Sequence, residues 1–163
     1  MQKMTILCTG KLKEKFYLDA AAEYVKRLSR FCKLEIIELP EERLPEDPSP
    51  AQIEAALSKE ADAVRAKLPN GCLVIAMCVE GRERSSEELA RYLADSAAQG
   101  ASHIVFLIGS SFGMHESLKR QAALRLSMSP MTFPHHLLRV MLLEQIYRCL
   151  LYTSPSPRDR TRS

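Results

Sequence analysis

Residues 128–148 concentrate the residue types that could bind a ligand or take part in chemistry. The segment opens with a short loop that contains Pro130 and Pro134 and leads directly to His135 and His136. Each proline fixes φ and removes a backbone donor, so this loop is expected to be largely rigid before any ligand arrives. A helix is predicted to begin immediately after it, and the first turn of a helix offers free N–H groups and the positive end of its dipole. The segment therefore predicts a preformed ligand-binding loop.

The polar side chains of the predicted helix leave several roles open. His135 could act in catalysis or could simply satisfy the loop, and because His135 and His136 are adjacent, their side chains should point in different directions and not share a metal ion. Arg139 could hold RNA phosphate or a partner subunit with its planar fork, or could form a surface ion pair. Glu144 and Arg148 have the i,i+4 spacing of an intrahelical pair.

A second candidate lies in the sequence Ile108-Gly-Ser-Ser-Phe-Gly113, which follows an apolar run. Gly109 could let the backbone approach a ligand at the carboxyl end of a strand. It could equally belong to a plain strand-to-helix turn that needs a positive φ. The two glycines do not form a G-x-G-x-x-G fingerprint, and no Walker-type lysine follows them. The sequence therefore gives only weak support to a protein that binds a phosphorylated nucleotide at this turn.

The elements that must position these residues alternate along the chain. Ser49 and Ser85 each begin a capping box, which predicts where two helices start. The apolar runs 72–79 and 103–108 are typical of strands buried on both faces. Predicted strands cover residues 4–9, 34–39, 72–79, 103–108 and 124–128, and predicted helices cover 16–31, 50–68, 86–98, 114–123 and 135–150. This βαβαβαβαβα order predicts an α/β domain in three layers, with a mostly parallel sheet between helices.

Composition limits the function classes further. The chain has 163 residues, 46% of them hydrophobic and 26% charged, which suits one soluble globular domain. No apolar run is long enough for a membrane span, and the N-terminus lacks the features of a signal peptide, so a cytoplasmic protein is expected. The five cysteines form no C-x-x-C pair and are interpreted as free thiols, with no metal site.

Charge is unevenly distributed over the chain. Residues 1–33 carry a net charge of +5, whereas residues 34–70 carry −5. The basic first third is compatible with a surface that faces nucleic-acid phosphates, and equally with a solvated helix face. Residues 1–152 are predicted to form a single domain. Residues 153–163 are rich in proline, serine and arginine, which predicts a disordered basic tail, and we interpret this tail as non-native.

Three segments together resemble the RlmH family. They are Ile6-Leu-Cys-Thr-Gly-Lys-Leu-Lys-Glu-Lys15, Val105-Phe-Leu-Ile-Gly109 and the stretch from Met128 to Arg148, and their order along the chain makes the resemblance specific. Members of this family are small SPOUT-class methyltransferases that use S-adenosylmethionine to methylate N3 of a pseudouridine in large-subunit (23S) ribosomal RNA. The resemblance implies a deep trefoil knot near the C-terminus, and a homodimer whose acceptor site lies between the protomers.

The resemblance also implies roles for individual residues. His135 and Arg139 are the expected catalytic residues, with His135 also expected to buttress the cofactor loop or the dimer contact. The loop is expected to wrap the cofactor mainly through backbone groups. The implied cofactor-binding residues are Met77, Gly109, Met128, Ser129, Pro130, Met131, Thr132 and Phe133.

This chain departs from the family pattern at three places. Ser110 stands where the motif usually reads a second glycine, and Pro130 stands where a residue with an N–H is usual. The family's Tyr-His-Lys-like end is absent after Arg148. These departures define an alternative, a cofactor- or RNA-binding module of the same fold in which methyl transfer is impaired.

Overall fold

The computed structural model describes residues 2–153, in which five strands and five helices alternate. The strands are β1 (Lys3–Thr9), β2 (Lys33–Leu39), β3 (Leu73–Glu83), β4 (His103–Ile108) and β5 (Leu124–Ser127). The helices are α1 (Lys15–Leu28), α2 (Pro50–Lys67), α3 (Ser86–Ala98), α4 (Glu116–Gln121) and α5 (His135–Tyr152). The predicted tail beyond residue 153 lies outside the described residues.

All five strands pair in parallel, in the order β2-β1-β4-β3-β5. The carboxyl ends of all strands therefore lie at one edge of the sheet, where β4, β3 and β5 are direct neighbours. The central strand β4 is buried on both faces, as its continuous apolar sequence predicts. This arrangement brings the segments that follow three different strands to the same place.

Helices cover both faces of the sheet, which confirms the predicted three-layer α/β fold. One core cluster joins alternate strand residues such as Ile6 and Phe106 to α1, α3 and α5. The other joins the intervening residues, such as Leu7 and Leu107, to α2 and α4. The alternation follows from the strand geometry, since successive side chains point to opposite faces of the sheet.

Both predicted capping boxes form. Ser49 accepts from the N–H of Gln52, and the Gln52 side chain accepts in return from the Ser49 N–H, at 3.1 and 2.8 Å. Ser85 and Glu88 exchange the same pair of bonds at 3.0 and 2.8 Å. These boxes fix the starts of α2 and α3 and therefore the lengths of the loops that precede them.

Several predicted bounds were wrong. α1 ends at Leu28 and α4 is only six residues long, whereas β3 continues past the predicted end to Glu83. A bulge between Met77 and Arg82 interrupts the pairing of β3 with β5. Gly81 permits this bulge, because a Cβ there would lie 2.9 Å from the backbone of Arg125 on β5. Among the residues that the structure describes, no helix is long and apolar enough to cross a membrane.

Candidate active site

A cavity of about 710 Å³ opens at the carboxyl ends of β3, β4 and β5. Its walls are the bulged end of β3, the turn that follows β4, the loop that follows β5 and the start of α5. This is the edge of a parallel sheet at which α/β proteins usually bind ligands. The volume also falls within the roughly 300–1,000 Å³ range of small-molecule and cofactor sites.

The cavity brings together most of the residues that the sequence singled out. Of the expected catalytic and cofactor-binding residues, Pro130 and Arg139 are the two that do not line it. Pro130 is exposed, so the missing N–H of this residue does not face the cavity. The predicted residues that do line the cavity are Met77, Gly109, Met128, Ser129, Met131, Thr132, Phe133 and His135.

The turn after β4 closes on itself very tightly at Gly109. A Cβ at this position would lie 2.3 Å from the carbonyl oxygen of Gly113, a distance that no side chain could occupy. Gly109 does not have a positive φ, whereas Gly113 does, at 94°. The need for glycine at 109 therefore comes from close approach of backbone, and the interpretation based on positive φ at 109 was wrong.

Ser110 is accommodated in this turn without strain. Its φ is not positive, and its backbone exchanges two hydrogen bonds with Gly113, at 3.0 and 2.9 Å. The side chain is buried and donates to Glu60 at 2.8 Å. A serine thus satisfies the geometry at the position where the family motif usually has a second glycine.

Two serines shape the loop between β5 and α5. Ser127 donates to the carbonyl of Ser129 at 3.0 Å, and its hydroxyl oxygen lies 3.3 Å from the Ser129 N–H. Ser129 in turn accepts from the N–H of Met131 at 3.0 Å. These short-range bonds and the fixed φ of two prolines restrict the conformation of the loop. Its rigidity before a ligand binds stays a prediction.

His135 stands at the junction of this loop and α5. Burial, and then the neighbouring His136, lower the pKa of His135 below its ordinary value, which favours the neutral imidazole near pH 7. The ring lies close to Gly10, where a Cβ would come within 3.3 Å of Nε2. The two histidine rings lie 4.1 Å apart between centroids, so the expectation that they diverge was wrong. Both histidines are in the first turn of α5, and the His135 ring lies against Gly10.

Arg139 is buried one turn further along α5, with only 2% of its surface exposed. Its guanidinium donates to Glu38 at 2.6 Å and to the carbonyl of Gly10 at 3.2 Å. Glu38 also accepts from the N–H of Leu12 at 3.0 Å. Burial tends to raise the pKa of Glu38, but the bonds from Arg139 and Leu12 outweigh it and hold that pKa below its usual range. The surface ion pair considered from the sequence is instead an internal clamp on the loop between β1 and α1.

The other predicted helix pair forms as expected. Arg148 donates to Glu144 at 2.5 Å across one turn of α5. Both side chains are partly exposed, at 39% and 26%. A pair of this kind contributes little to stability, about 0.3–0.5 kcal/mol on an exposed helix.

Sequence reasoning missed part of the cavity. Val79 and Phe112 line it although about half of each side chain is exposed, and Met131 is 71% exposed beside them. Glu80 and Lys119 also line it and form an ion pair across the wall. A phenylalanine between the two glycines of one turn, Gly109 and Gly113, was a signal available in the sequence. The Glu80–Lys119 pair depends on the β3 bulge and had no such signal. Among residues 2–153, no group of three or more potential ligands is placed to hold a metal ion.

Comparison with known proteins identifies the family to which the chain belongs. A family model described as "Predicted SPOUT methyltransferase" matches residues 2–156. The chain belongs to the SPOUT methyltransferase family. This match and the relatives named ribosomal RNA large subunit methyltransferase H confirm the RlmH resemblance seen in the motifs.

Relatives of this SPOUT methyltransferase match it over most of its length. One, named ribosomal RNA large subunit methyltransferase H, from Streptococcus uberis, is 44% identical over 155 residues, covering 95% of this chain and 98% of the relative. A protein of the same name from Lactobacillus delbrueckii subsp. bulgaricus is 43% identical, with 93% and 96% covered. Another from Leuconostoc mesenteroides is 41% identical, with 93% and 96% covered. The SPOUT methyltransferase domain thus accounts for nearly all of the chain.

Proposed function

We propose that this protein transfers a methyl group from S-adenosylmethionine to N3 of a pseudouridine in large-subunit (23S) ribosomal RNA. The observation that carries the proposal is the cavity at the carboxyl ends of β3, β4 and β5, in a chain 44% identical to a ribosomal RNA large subunit methyltransferase H. Because the proposed substrate is ribosomal RNA, we retain the cytoplasmic location expected from the sequence.

The residues of the cavity suit the proposed cofactor. S-adenosylmethionine, when bound, supplies a methyl group already activated by its sulfonium. Met77 and Phe133 offer apolar surface, and the loop residues Met128, Ser129, Met131 and Thr132 line the cavity with backbone as well as side chains. Gly109 lets the turn beside the cavity close tightly on Gly113. Such a pocket recognises a nucleoside by shape and by backbone hydrogen bonds, and what remains for the protein is mainly to orient the reactants.

His135 is the residue we assign to the acceptor proton. N3 of a pseudouridine carries a proton that must leave when the methyl group is added, and a neutral imidazole can accept it. His135 lines the cavity and its lowered pKa favours the neutral form. Arg139 is assigned a positioning role, because its guanidinium holds the Gly10 carbonyl beside the His135 ring and does not line the cavity.

We further propose that the protein works as a homodimer through the outer face of α5. The inner face of this helix, with Leu142, Leu143 and Ile146, is fully buried. On the opposite face, Leu137, Val140 and Met141 stay partly exposed. A second copy would cover these apolar side chains and would bring its own residues close to the mouth of the cavity, which begins one turn away at His135.

The first test is a calorimetric titration of S-adenosylhomocysteine, followed by methyl transfer to ribosomal subunits that lack the modification, with the product nucleoside identified by mass spectrometry. Micromolar binding and 3-methylpseudouridine as product would support the proposal. Binding without transfer would support the impaired module instead, and absence of binding would refute both methyl transfer and a cofactor-binding module.

A matched pair of histidine variants tests the acceptor side. His135→Gln should lower the transfer rate by about 10²-fold or more, the usual contribution of a general base, with little change in S-adenosylhomocysteine affinity. His103→Gln is the control, because this histidine lies at the other end of β4, where it bonds Thr5 at 2.7 Å. Equal transfer rates in both variants would exclude His135 as the base.

A further inference from the structure

Two glutamates hold the turn after β4 from the side that faces away from the main cavity. The Ser110 hydroxyl donates to Glu60 at 2.8 Å. The backbone N–H and the hydroxyl of Ser111 both donate to Glu41, at 2.7 and 2.6 Å. Glu60 lies on α2 and Glu41 in the loop before it, and neither residue lines the main cavity.

Glu60 is an unusual residue for its position, because only 7% of its surface is exposed. Its neighbours on the buried face of α2 are Ala56, Ala61 and Val64. Burial raises the pKa of Glu60 above its usual value, so the fold carries a cost for keeping a carboxyl group here. Each carboxyl oxygen has one donor, Ser110 for one and the N–H of Glu42, at 2.9 Å, for the other.

The turn itself is a thin wall between two spaces. Ser110, Ser111 and Phe112 line the main cavity and also a second cavity of about 210 Å³, into which Glu41 and Glu60 extend. The exposed part of the turn, Ser111 and Phe112, has open volume on both sides and is not fixed by close packing. Its position is therefore set by hydrogen bonds, those within the turn and those to the two glutamates.

We infer that Glu60, acting through Ser110, and Glu41, acting through Ser111, are positioning residues that fix this turn against the cofactor. This inference rests on the proposed function, since it assumes that the main cavity binds S-adenosylmethionine. The inference also explains why a serine is useful at position 110. Its hydroxyl links the turn after β4 to α2, a helix that does not itself line the main cavity. Cofactor affinity should then depend on a residue on the opposite side of the turn.

The test is a double-mutant cycle on Ser110 and Glu60, with the dissociation constant of S-adenosylhomocysteine and the melting temperature measured for each variant. Ser110→Ala and Glu60→Ala should each weaken binding about tenfold, the effect of losing one hydrogen bond to a charged group. The double variant should bind no more weakly than either single one, because both remove the same link.

Two further variants separate positioning from general stability. Glu60→Gln should bind within about twofold of the wild type, because the Ser110 hydroxyl can rotate to accept from the amide while the remaining oxygen accepts from Glu42. Ser117→Ala is the matched control: it removes a serine hydroxyl on α4 that bonds Arg65 and lies outside the main cavity. It should change the melting temperature without changing the dissociation constant.

Unchanged affinity in Ser110→Ala, or losses from Ser110→Ala and Glu60→Ala that add up in the double variant, would overturn the inference while leaving the proposed function intact. Equal losses of affinity in Ser110→Ala and Ser117→Ala would also overturn it. If the wild-type protein does not bind S-adenosylhomocysteine, the proposed function fails and the inference fails with it. If Glu60→Ala does not fold, Ser110→Ala still decides the question, since about tenfold weaker binding would support the inference and unchanged binding would overturn it.

Discussion

Replacing Arg139 by methionine tests the internal clamp most directly. The substitution keeps much of the apolar stem and removes the guanidinium, which is buried and bonded to Glu38 and to the Gly10 carbonyl. It also leaves the Glu38 carboxylate with the Leu12 N–H as its remaining donor from this cluster. The clamp joins α5 to the loop between β1 and α1, so its loss should destabilise the fold and also loosen the surroundings of His135.

The expected loss in the free energy of unfolding depends on how deeply Arg139 and Glu38 are each buried. Breaking a fully buried ion pair costs about 3–5 kcal/mol. Arg139 meets that condition, but the Glu38 side chain is 33% exposed and can be partly rehydrated after the change. We therefore expect a smaller loss than for a fully buried pair, about 2–4 kcal/mol in the free energy of unfolding. In a protein of this size each kcal/mol corresponds to about 2–4 °C in melting temperature, so the decrease should be about 4–16 °C.

Urea denaturation and a thermal melt at neutral pH measure this loss. Arg120→Met is the control, because Arg120 forms only an exposed pair with Glu116 at 3.9 Å and should cost at most about 0.5 kcal/mol. The reasoning is refuted if Arg139→Met is as stable as the control variant but binds ribosomal RNA more weakly. That result would mean that the guanidinium serves RNA phosphate, the role first considered from the sequence.

Three other outcomes follow from the site. Gly109→Ala should abolish detectable S-adenosylhomocysteine binding in calorimetry, because the added Cβ would lie 2.3 Å from a backbone oxygen of the same turn. Pro130→Lys should leave that affinity unchanged within about twofold, since position 130 lies outside the cavity; a larger gain would show that the missing N–H matters. Both stability and methyl transfer should depend on pH. The pKa of Glu38 is below its usual 4.5, so its ion pair with Arg139 should stabilise the fold fully above pH 4.5. That stabilisation should be lost as the pH falls below this value. The acidic limb of methyl transfer should lie below pH 6.5, because the pKa of His135 is lowered, and an inflection above that value would contradict its role as base.

Local patterns in the sequence predicted most of the fold. The apolar run 103–108 and the capping boxes at Ser49 and Ser85 were read correctly because each depends only on neighbouring residues. The end of β3 was not, since Glu80-Gly81-Arg82 looks like a loop and becomes a strand only where β5 pairs with it beyond the bulge. The knot implied by the family resemblance stays a prediction.

In the candidate site, too, features set by neighbouring residues were predicted, whereas contacts between residues far apart in the chain were not. The loop around Met131 was predicted because two prolines mark it, and Gly109 because it follows a strand. The burial of Arg139 could not be predicted, because its partner Glu38 is 101 residues away and the pair exists only when α5 packs beside β1 and β2. The anchoring of Ser110 by Glu60, 50 residues earlier on α2, was hidden for the same reason.

The strand order has a consequence for how this protein is made. The second edge of β1 is paired only when β4, about a hundred residues later, has been synthesised, and the cavity needs β5 and α5, which follow the other described elements along the chain. Until α5 emerges from the ribosome, the chain exposes an incomplete parallel sheet, the kind of intermediate that folds slowly and aggregates easily. Because the cavity walls form only at that stage, binding of the cofactor would stabilise chains in which α5 has folded over chains in which it has not.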